Sequence, residues 1–163
     1  MRAPLLSLRP AVAALALGLA LSACAPSAEQ QAADRAEIER LVGRYAELLA
    51  EAYRTRDSGV LGEITTEREV MRVGQRIEEL TAEGRELRAE LRSLVIEEVD
   101  VFDATTAGAT TIEVWDLRTV ALGSDETVAE AIGQENRVVY TLRKERGRWE
   151  ILARLLKAAS EPS

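Results

Sequence analysis

The sequence of 163 residues contains no histidine and only one cysteine. Without histidine, the chain lacks the side chain that most often serves as a general base near neutral pH and most often binds zinc. A single cysteine cannot form a disulfide within its own chain. These absences exclude histidine-dependent catalysis, zinc sites of the cysteine and histidine type, and a disulfide-stapled fold. We therefore expect no metal and no cofactor.

Positive charge is also scarce relative to negative charge. The chain has 21 basic and 28 acidic residues, for a formal net charge of −7. Proteins that bind nucleic acid neutralise phosphates with a basic face, and here the arginines are interspersed with a larger number of acids. An acidic surface is also repelled by anionic lipid headgroups. The composition predicts no nucleic-acid partner and no electrostatic contact with a membrane.

Long apolar runs are absent except for one near the start, residues 11–21, which follows Arg2 and Arg9. As a helix this run spans ~16 Å, well short of the ~30 Å hydrocarbon core of a bilayer. A basic start, a short apolar run and small residues behind it are typical of a secretory signal peptide. The sequence therefore predicts an exported protein without a permanent transmembrane helix.

The residues that end this run, Leu21-Ser22-Ala23-Cys24, resemble the lipobox of bacterial lipoproteins. The resemblance implies that residues 1–23 are removed as a signal peptide and that Cys24 carries the lipid anchor. The alternatives are an uncleaved anchor, or an ordinary signal peptide that is cut nearby. Ala25 follows the cysteine in place of the aspartate that retains lipoproteins in the inner membrane. This favours the outer membrane in a bacterium with two membranes.

Behind the cysteine the chain divides into a short tether and one domain. Residues 25–31 are small and polar, and we assign residues 24–34 to the lipidated cysteine and its tether. Ten extended residues reach at most ~35 Å, so the domain stays near the membrane. Residues 35–158 form the folded domain and residues 159–163 a tail.

The first half of the domain has helical periodicity. Apolar residues recur from Ile38 at the spacing of one helical face, which predicts an amphipathic helix. Arg56-Asp57-Ser58-Gly59 is typical of a turn, and residues 60–64 of a short second helix. A third helix begins near Thr66.

Two patterns overlap in residues 84–94. Apolar spacing from Val70 to Leu94 suits one long coiled-coil helix, whereas residues 86–93 alternate strictly, as in a half-buried strand. Gly84 would sit on the coiled-coil seam, and it suits a helix end equally well. We therefore end the helix near Glu83 and predict a strand over residues 87–102, with a bulge at residues 94–96.

The second half is rich in strand-forming residues. We predict further strands over residues 110–122, 137–144 and 148–157, the last two joined by a tight hairpin at Glu145-Arg146-Gly147. Helices that precede an antiparallel meander indicate an α+β domain, with the helices packed on one face of a curved antiparallel sheet of about four strands.

This order of elements, with the closing pattern Val139-Tyr140-Thr141-Leu142 and Gly147-Arg148-Trp149-Glu150-Ile151, resembles the nuclear transport factor 2-like cone. The resemblance covers residues 38–155. The superfamily includes polyketide-cyclase and ketosteroid-isomerase-like enzymes, together with a non-catalytic branch that resembles the scaffold domain of the mitochondrial import motor. It implies a curved sheet that wraps the helices and can leave a pocket at its open end.

Four aromatic residues are the candidates for a pocket or an interface: Tyr45, Trp115, Tyr140 and Trp149. The two tyrosines lie on predicted apolar faces, and Trp149 alternates with Ile151, so these three suit a core or a pocket wall. Trp115 is either an exposed contact anchor or covered within the domain.

The isomerase-like enzymes pair an aspartate base with a tyrosine and a protonated acid. The strand carboxylates that might serve here are Glu97, Asp100, Glu113 and Asp116. None matches the family motif, so we predict no catalytic residues.

These observations predict a membrane-anchored bacterial lipoprotein whose domain is a non-catalytic binding or interaction module of the cell envelope. The partner is expected to be a protein or a second copy, docked on the sheet. One alternative is a binder of a small apolar ligand, or a cyclase or isomerase-like enzyme, with a deep pocket that holds a carboxylate near a tyrosine. A second alternative is a helical coiled-coil adaptor, which requires a continuous helix through Gly84.

Overall fold

A computed structural model describes residues 27–157 of the chain. The predicted signal peptide, the lipobox with Cys24 and the tail 159–163 lie outside the described residues. The described part forms two α-helices and four strands, with a short 3₁₀ helix between the α-helices. In chain order these are α1 Ala28–Thr55, the 3₁₀ helix Ser58–Leu61, α2 Glu67–Ala82, β1 Arg85–Val101, β2 Thr106–Ala121, β3 Thr127–Glu145 and β4 Arg148–Leu156.

The strands form one antiparallel meander in the order β1-β2-β3-β4, and both α-helices pack on the same concave face. The predicted α+β class is confirmed. In β1 the register slips between Leu91 and Ser93 and again between Ile96 and Glu98, on either side of the predicted bulge at residues 94–96. Such slips bend a strand, and here they curve the sheet around α1.

Helix α1 begins earlier than its apolar face indicates. Ser27 caps it, because the hydroxyl oxygen accepts a hydrogen bond from the Gln30 amide at 3.1 Å, and Glu29 lies in the first turn. Both features stabilise a helix start. Residues 28–34, which the sequence assigned to the tether, are therefore helical.

Residues 85–94 form a strand, so the predicted end of the helix near Glu83 is confirmed and a continuous helix through Gly84 is excluded. Gly84 has a φ of 70°, in the left-handed region where a glycine is favoured. Its carbonyl oxygen accepts a hydrogen bond from the Leu122 amide at 2.8 Å, which ties the start of β1 to the end of β2. The helical-adaptor alternative is wrong for this reason.

Two glycine substitutions are expected to change stability in opposite directions. Gly84→Ala forces a Cβ into left-handed backbone and is expected to lower the free energy of unfolding by about 1–2 kcal/mol. Gly43→Ala, inside α1, meets no atom within 4 Å and is expected to raise it by about 0.5–1 kcal/mol. Urea unfolding followed by circular dichroism measures both. A Gly84→Ala protein at least as stable as wild type would contradict this account of the helix end.

The strand boundaries differ from the prediction mainly at β3, which begins at Thr127 and not at Arg137. Residues 127–135 are exposed on both faces, so the alternation that reveals a half-buried strand is missing there. The hairpin between β3 and β4 is confirmed: Arg146 and Gly147 have φ values of 51° and 80°, as a two-residue type I′ turn requires.

The core lies between the helices and the concave face of the sheet. Ile38, Val42 and Tyr45 of α1 are fully buried, and they pack with Leu142 and Ile151 of the sheet. Within residues 27–157, neither helix is long and apolar enough to cross a membrane.

Candidate functional site

The concave face carries a buried polar cluster centred on Glu113 of β2, whose side chain is completely buried. One carboxylate oxygen accepts hydrogen bonds from the Tyr140 hydroxyl at 2.6 Å and the Thr111 hydroxyl at 3.2 Å. The other accepts from Trp115 Nε1 at 2.8 Å and from the Arg154 guanidinium at 2.5 Å. Both oxygens of the carboxylate are therefore engaged.

The sheet register brings these groups together. Residues 111, 113 and 115 alternate along β2 and share the concave face. On the neighbouring strands, Tyr140 of β3 lies opposite Arg154 of β4. The cluster thus joins three strands below α1, and we call Thr111, Glu113, Trp115, Tyr140 and Arg154 the Glu113 cluster.

A carboxylate next to a tyrosine is the arrangement that the enzyme alternative predicted, but here the two groups bind each other. Burial, with the nearby charge of Glu113, raises the pKa of Tyr140 far above its ordinary value. The hydroxyl therefore stays protonated and donates to Glu113. A general base must instead present its carboxylate to the substrate's proton. In this arrangement the donors on both oxygens of Glu113 occupy the positions that a substrate would need.

A small pocket opens beside the cluster, with a volume of about 150 Å³. Its walls are mainly apolar, and its polar groups come from Gln134, Asn136 and Arg154. The full lining is Leu49, Tyr53, Leu87, Ala89, Trp115, Leu117, Gln134, Asn136, Arg154 and Leu156. Sites for drug-sized ligands usually span ~300–1,000 Å³. This pocket has room for one side chain or a ligand of a few heavy atoms.

Trp115 contributes to this pocket and is 3% exposed. Of the two alternatives for this residue, the structure places it on the concave side and not on the outer surface of the sheet. Arg154, at the same pocket, has one buried donor atom, Nε, without a hydrogen-bond partner among the described residues. The pocket is thus an apolar cavity with an unused donor close by.

Tyr45 lies next to Tyr140 but belongs to a second polar cluster. The two rings meet edge to face, with centroids 5.7 Å apart. The Tyr45 hydroxyl donates to Glu69 of α2, a buried carboxylate that also accepts two hydrogen bonds from Arg72 at 2.6 and 2.8 Å. Burial, with Glu69 nearby, raises the pKa of Tyr45 far above its ordinary value. Tyr45 is therefore a core residue that connects α1 to α2.

Tyr45→Phe is expected to lower the free energy of unfolding by about 1–3 kcal/mol, because Glu69 stays buried after losing a donor. Tyr53→Phe is the matched control on the same helix. The Tyr53 hydroxyl makes no hydrogen bond to the described residues, so its loss is expected to change stability by less than ~0.5 kcal/mol. Urea unfolding curves of the two variants measure the difference, and equal stabilities would contradict the role of the Glu69 contact.

Trp149 lies apart from the pocket, in a third cluster near the start of α1. Its Nε1 donates to Asp34 at 3.1 Å, and the Lys144 ammonium contacts the same carboxylate at 2.5 Å. Gln30 donates to it at 3.3 Å, and Lys144 stacks over the indole ring. Trp149 is therefore a core residue, as expected, and its contact with Asp34 connects the beginning of α1 to the β3–β4 hairpin.

The structure thus brings Trp115 and Tyr140 together, with Tyr45 beside them, and places Trp149 elsewhere. Sequence reasoning missed the buried roles of Asp34 and Glu69. A signal was present, because each lies four residues before an apolar residue of its own helical face, Ile38 and Val73 respectively. Within residues 27–157 no group of three or more acidic or cysteine side chains is placed to hold a metal ion.

Residues 46–152 match the family described as ARC6-like, IMS domain. The chain belongs to this family. The matched range runs from the middle of α1 into β4 and includes Glu69, Glu113 and Tyr140, whereas Asp34 and Arg154 lie outside it. Among curated proteins, none matches the chain.

Solved structures show the same architecture. The crystal structure of the intermembrane space region of the chloroplast protein ARC6 is 18% identical with a TM-score of 0.65, over 82% of this chain and 100% of that one. A single-residue variant of Rv3472, a protein of unknown function from Mycobacterium tuberculosis, is 17% identical with a TM-score of 0.51, over 81% and 75% of the two chains. At these identities the likeness shows the fold.

A third structure is described as an ntf2-like protein with a cystatin-like fold, from Novosphingobium aromaticivorans. It is 20% identical with a TM-score of 0.46, over 78% of this chain and 87% of that one.

Proposed function

We propose that this protein is a lipid-anchored, non-catalytic interaction module of a bacterial cell envelope, and that a protein partner contacts the pocket beside Trp115. Membership of the ARC6-like, IMS domain family supports a role at a membrane-bounded compartment, since the similar ARC6 structure is an intermembrane space region. The lipobox at Cys24 supplies the anchor.

The observation that carries this proposal is the pairing of the polar groups on the concave face. Glu113 and Glu69 are each engaged by a tyrosine and an arginine. The concave face also offers the apolar pocket beside Trp115 to another molecule. A pocket of about 150 Å³ suits one inserted apolar side chain, and such anchored side chains dominate binding energy at many protein interfaces.

The position of the anchor determines how close the domain lies to the membrane. Because Ser27 already caps α1, only Ala25 and Pro26 lie between it and Cys24, and the three Cα-to-Cα steps reach at most ~10 Å. The domain would therefore lie directly at the membrane surface, with the start of α1 nearest to it. Ala25 behind the lipidated cysteine favours the outer membrane in a bacterium with two membranes.

Native mass spectrometry tests the proposal on the full-length protein, extracted gently with detergent from the cells that make it. Ala89→Leu is designed to fill the pocket, which Ala89 lines, and Ala36→Leu on the exposed side of α1 is the matched control. We expect the wild type and Ala36→Leu to carry a second polypeptide that Ala89→Leu loses. A reproducible small-molecule adduct lost in Ala89→Leu would overturn the proposal in favour of a ligand-binding or catalytic pocket.

A further inference from the structure

Basic side chains are concentrated at one end of the domain, although the chain as a whole has a net charge of −7. Residues 143–148, around the β3–β4 turn, include four basic side chains and one acidic side chain. Lys144 is paired with Asp34 of α1 at 2.5 Å. Arg146 and Arg148 form no ion pair with the described residues. The hairpin therefore presents two arginines that the domain itself does not neutralise.

The most exposed apolar side chain lies at the same end. Phe102, in the turn between β1 and β2, is 70% exposed, more than any other large apolar side chain within residues 27–157. Its ring lies across Gly108, since a Cβ added there would be 3.3 Å from two ring atoms. The Lys144 amide donates to the Thr105 carbonyl oxygen at 2.7 Å, so this turn adjoins the β3–β4 hairpin. We call Phe102, Arg146 and Arg148 the basic end.

The proposed lipid anchor is attached close to the basic end. Residues 28–33 of α1 are exposed on every side, so this part of the helix projects past the sheet. Asp34, which contacts the hairpin, lies seven residues after Ser27, or ~10 Å of helix. Ser27 lies at most ~10 Å from Cys24. Asp34 is therefore within ~20 Å of the anchor, and the hairpin can reach the membrane.

We propose that the basic end binds an anionic lipid surface. Arg146 and Arg148 contact headgroup phosphates, and the Phe102 ring enters the interface beside them. An arginine suits this contact because its planar guanidinium can bind two phosphate oxygens at once. The inference rests on the proposed anchor, because a lipid chain together with a basic patch holds a protein at a membrane far better than either does alone.

Three carboxylates near the basic end are engaged within the domain. Asp34 and Glu145 are paired with basic residues of the hairpin. Asp103 accepts hydrogen bonds from the amide and hydroxyl groups of Thr105 and Thr106. The sequence predicted no electrostatic contact with a membrane because the net charge is negative. That prediction does not consider that the folded chain brings two unpaired arginines and an exposed ring to one end.

This orientation leaves the pocket beside Trp115 open to a protein partner. Gln134, which lines the pocket, lies ten residues before Lys144 on β3, and ten residues of strand span up to ~33 Å. The pocket would therefore lie well above the membrane surface.

Photocrosslinking to lipid tests the inference on the full-length chain, purified in detergent from the cells that make it and reconstituted in vesicles. A photoreactive phenylalanine derivative replaces Phe102 or, as the control, Val128. Val128 is 49% exposed and lies near the opposite end of the sheet, where Thr127 pairs with Val120. The vesicles contain phosphatidylglycerol and phosphatidylcholine in equal parts, or phosphatidylcholine alone. Mass spectrometry measures the fraction of chains with a crosslinked phospholipid and shows whether Cys24 is lipidated.

On vesicles with phosphatidylglycerol we expect about tenfold more crosslinking from position 102 than from position 128, and about threefold less on phosphatidylcholine alone. Arg146→Glu with Arg148→Glu is expected to lower crosslinking from position 102 about threefold, because both unpaired charges are reversed. Arg56→Glu with Arg85→Glu makes the same change of charge where α1 ends and β1 begins, and it is expected to have no effect. Thermal unfolding confirms that each variant is folded.

Equal crosslinking from the two positions would overturn the inference, as would crosslinking from position 102 that does not respond to lipid charge or to the reversal of Arg146 and Arg148. A lipidated chain without crosslinking from position 102 would overturn the inference and leave the proposed anchor intact. An unmodified Cys24 would instead contradict the anchor. In such a chain, crosslinking from position 102 would still support binding by the basic end, and its absence would overturn it.

Discussion

Glu113→Ala is expected to lower the free energy of unfolding by about 3–5 kcal/mol. The substitution leaves the Arg154 charge without its partner, and the Arg154 side chain is only 11% exposed. It also removes the acceptor for the Tyr140 hydroxyl and for Trp115 Nε1. Buried donors that lose their acceptor, and a buried charge that loses its counter-ion, are among the few causes of large single-site losses. Urea unfolding followed by circular dichroism measures the change.

The double variant Glu113→Leu with Arg154→Leu is the matched control. Replacing both members of a buried ion pair by apolar residues is often neutral. The double variant is therefore expected to recover the part of the loss that comes from the unpaired Arg154 charge, whereas Tyr140 and Trp115 still lack their acceptor. A loss below ~1 kcal/mol in Glu113→Ala would mean that the Arg154 charge is not held in the core as the structure places it.

Asp34→Ala is expected to cost about 2–4 kcal/mol, because the Lys144 ammonium and Trp149 Nε1 lose their shared acceptor. Asp34 is 3% exposed, and it connects the start of α1 to the β3–β4 hairpin. Asp125→Ala is the control. Its carboxylate is 91% exposed in a pair with Arg88, so its loss is expected to change stability by less than ~1 kcal/mol.

The stability contributed by Asp34 should also depend on pH. Burial raises its pKa, but the hydrogen bonds from Lys144, Trp149 and Gln30 outweigh burial and hold the pKa below its ordinary value of 3.8. The ionised form is thus favoured in the folded state. Its contribution is complete above about pH 4 and is lost as the pH falls through the lower folded pKa. The difference between wild type and Asp34→Asn should therefore shrink below pH 4, and a difference that grows there would contradict the pairing.

Much of the fold was predictable from local pattern. Helix α1 has a continuous apolar face from Ile38, the left-handed Gly84 ends α2 as expected, and the β3–β4 hairpin has the residues that its turn needs. These features are determined within a few residues of sequence, so a single sequence reveals them.

The rest of the fold depends on contacts between residues that are distant in the sequence. The first half of β3 has no buried face, and its pairing with β2 is what makes residues 127–136 a strand. The extra turns of α1 begin at the local Ser27 cap, but they pack on the sheet through Asp34, whose partners Lys144 and Trp149 lie more than a hundred residues away. Glu113 is recognisable from the sequence as a strand carboxylate, but no local pattern indicates that Arg154 pairs with it.

The buried polar clusters and the pocket have different roles in the domain. The buried carboxylates Asp34, Glu69 and Glu113 connect helices and strands to one another. The proposed partner contact uses the apolar pocket beside Trp115. This division suits an interaction module, since the three buried carboxylates are each engaged by hydrogen bonds within the domain.

Site-directed photocrosslinking in the cells that make the protein tests whether a partner contacts the pocket beside Trp115. A photoreactive residue replaces Leu117 at the pocket or, as a control, Glu98 of β1, outside the pocket. We expect one discrete crosslinked polypeptide from position 117 that is absent from position 98 and disappears when Ala89→Leu fills the pocket. The same crosslinked bands from both positions, or a band at position 117 that survives Ala89→Leu, would contradict a partner contact at this pocket.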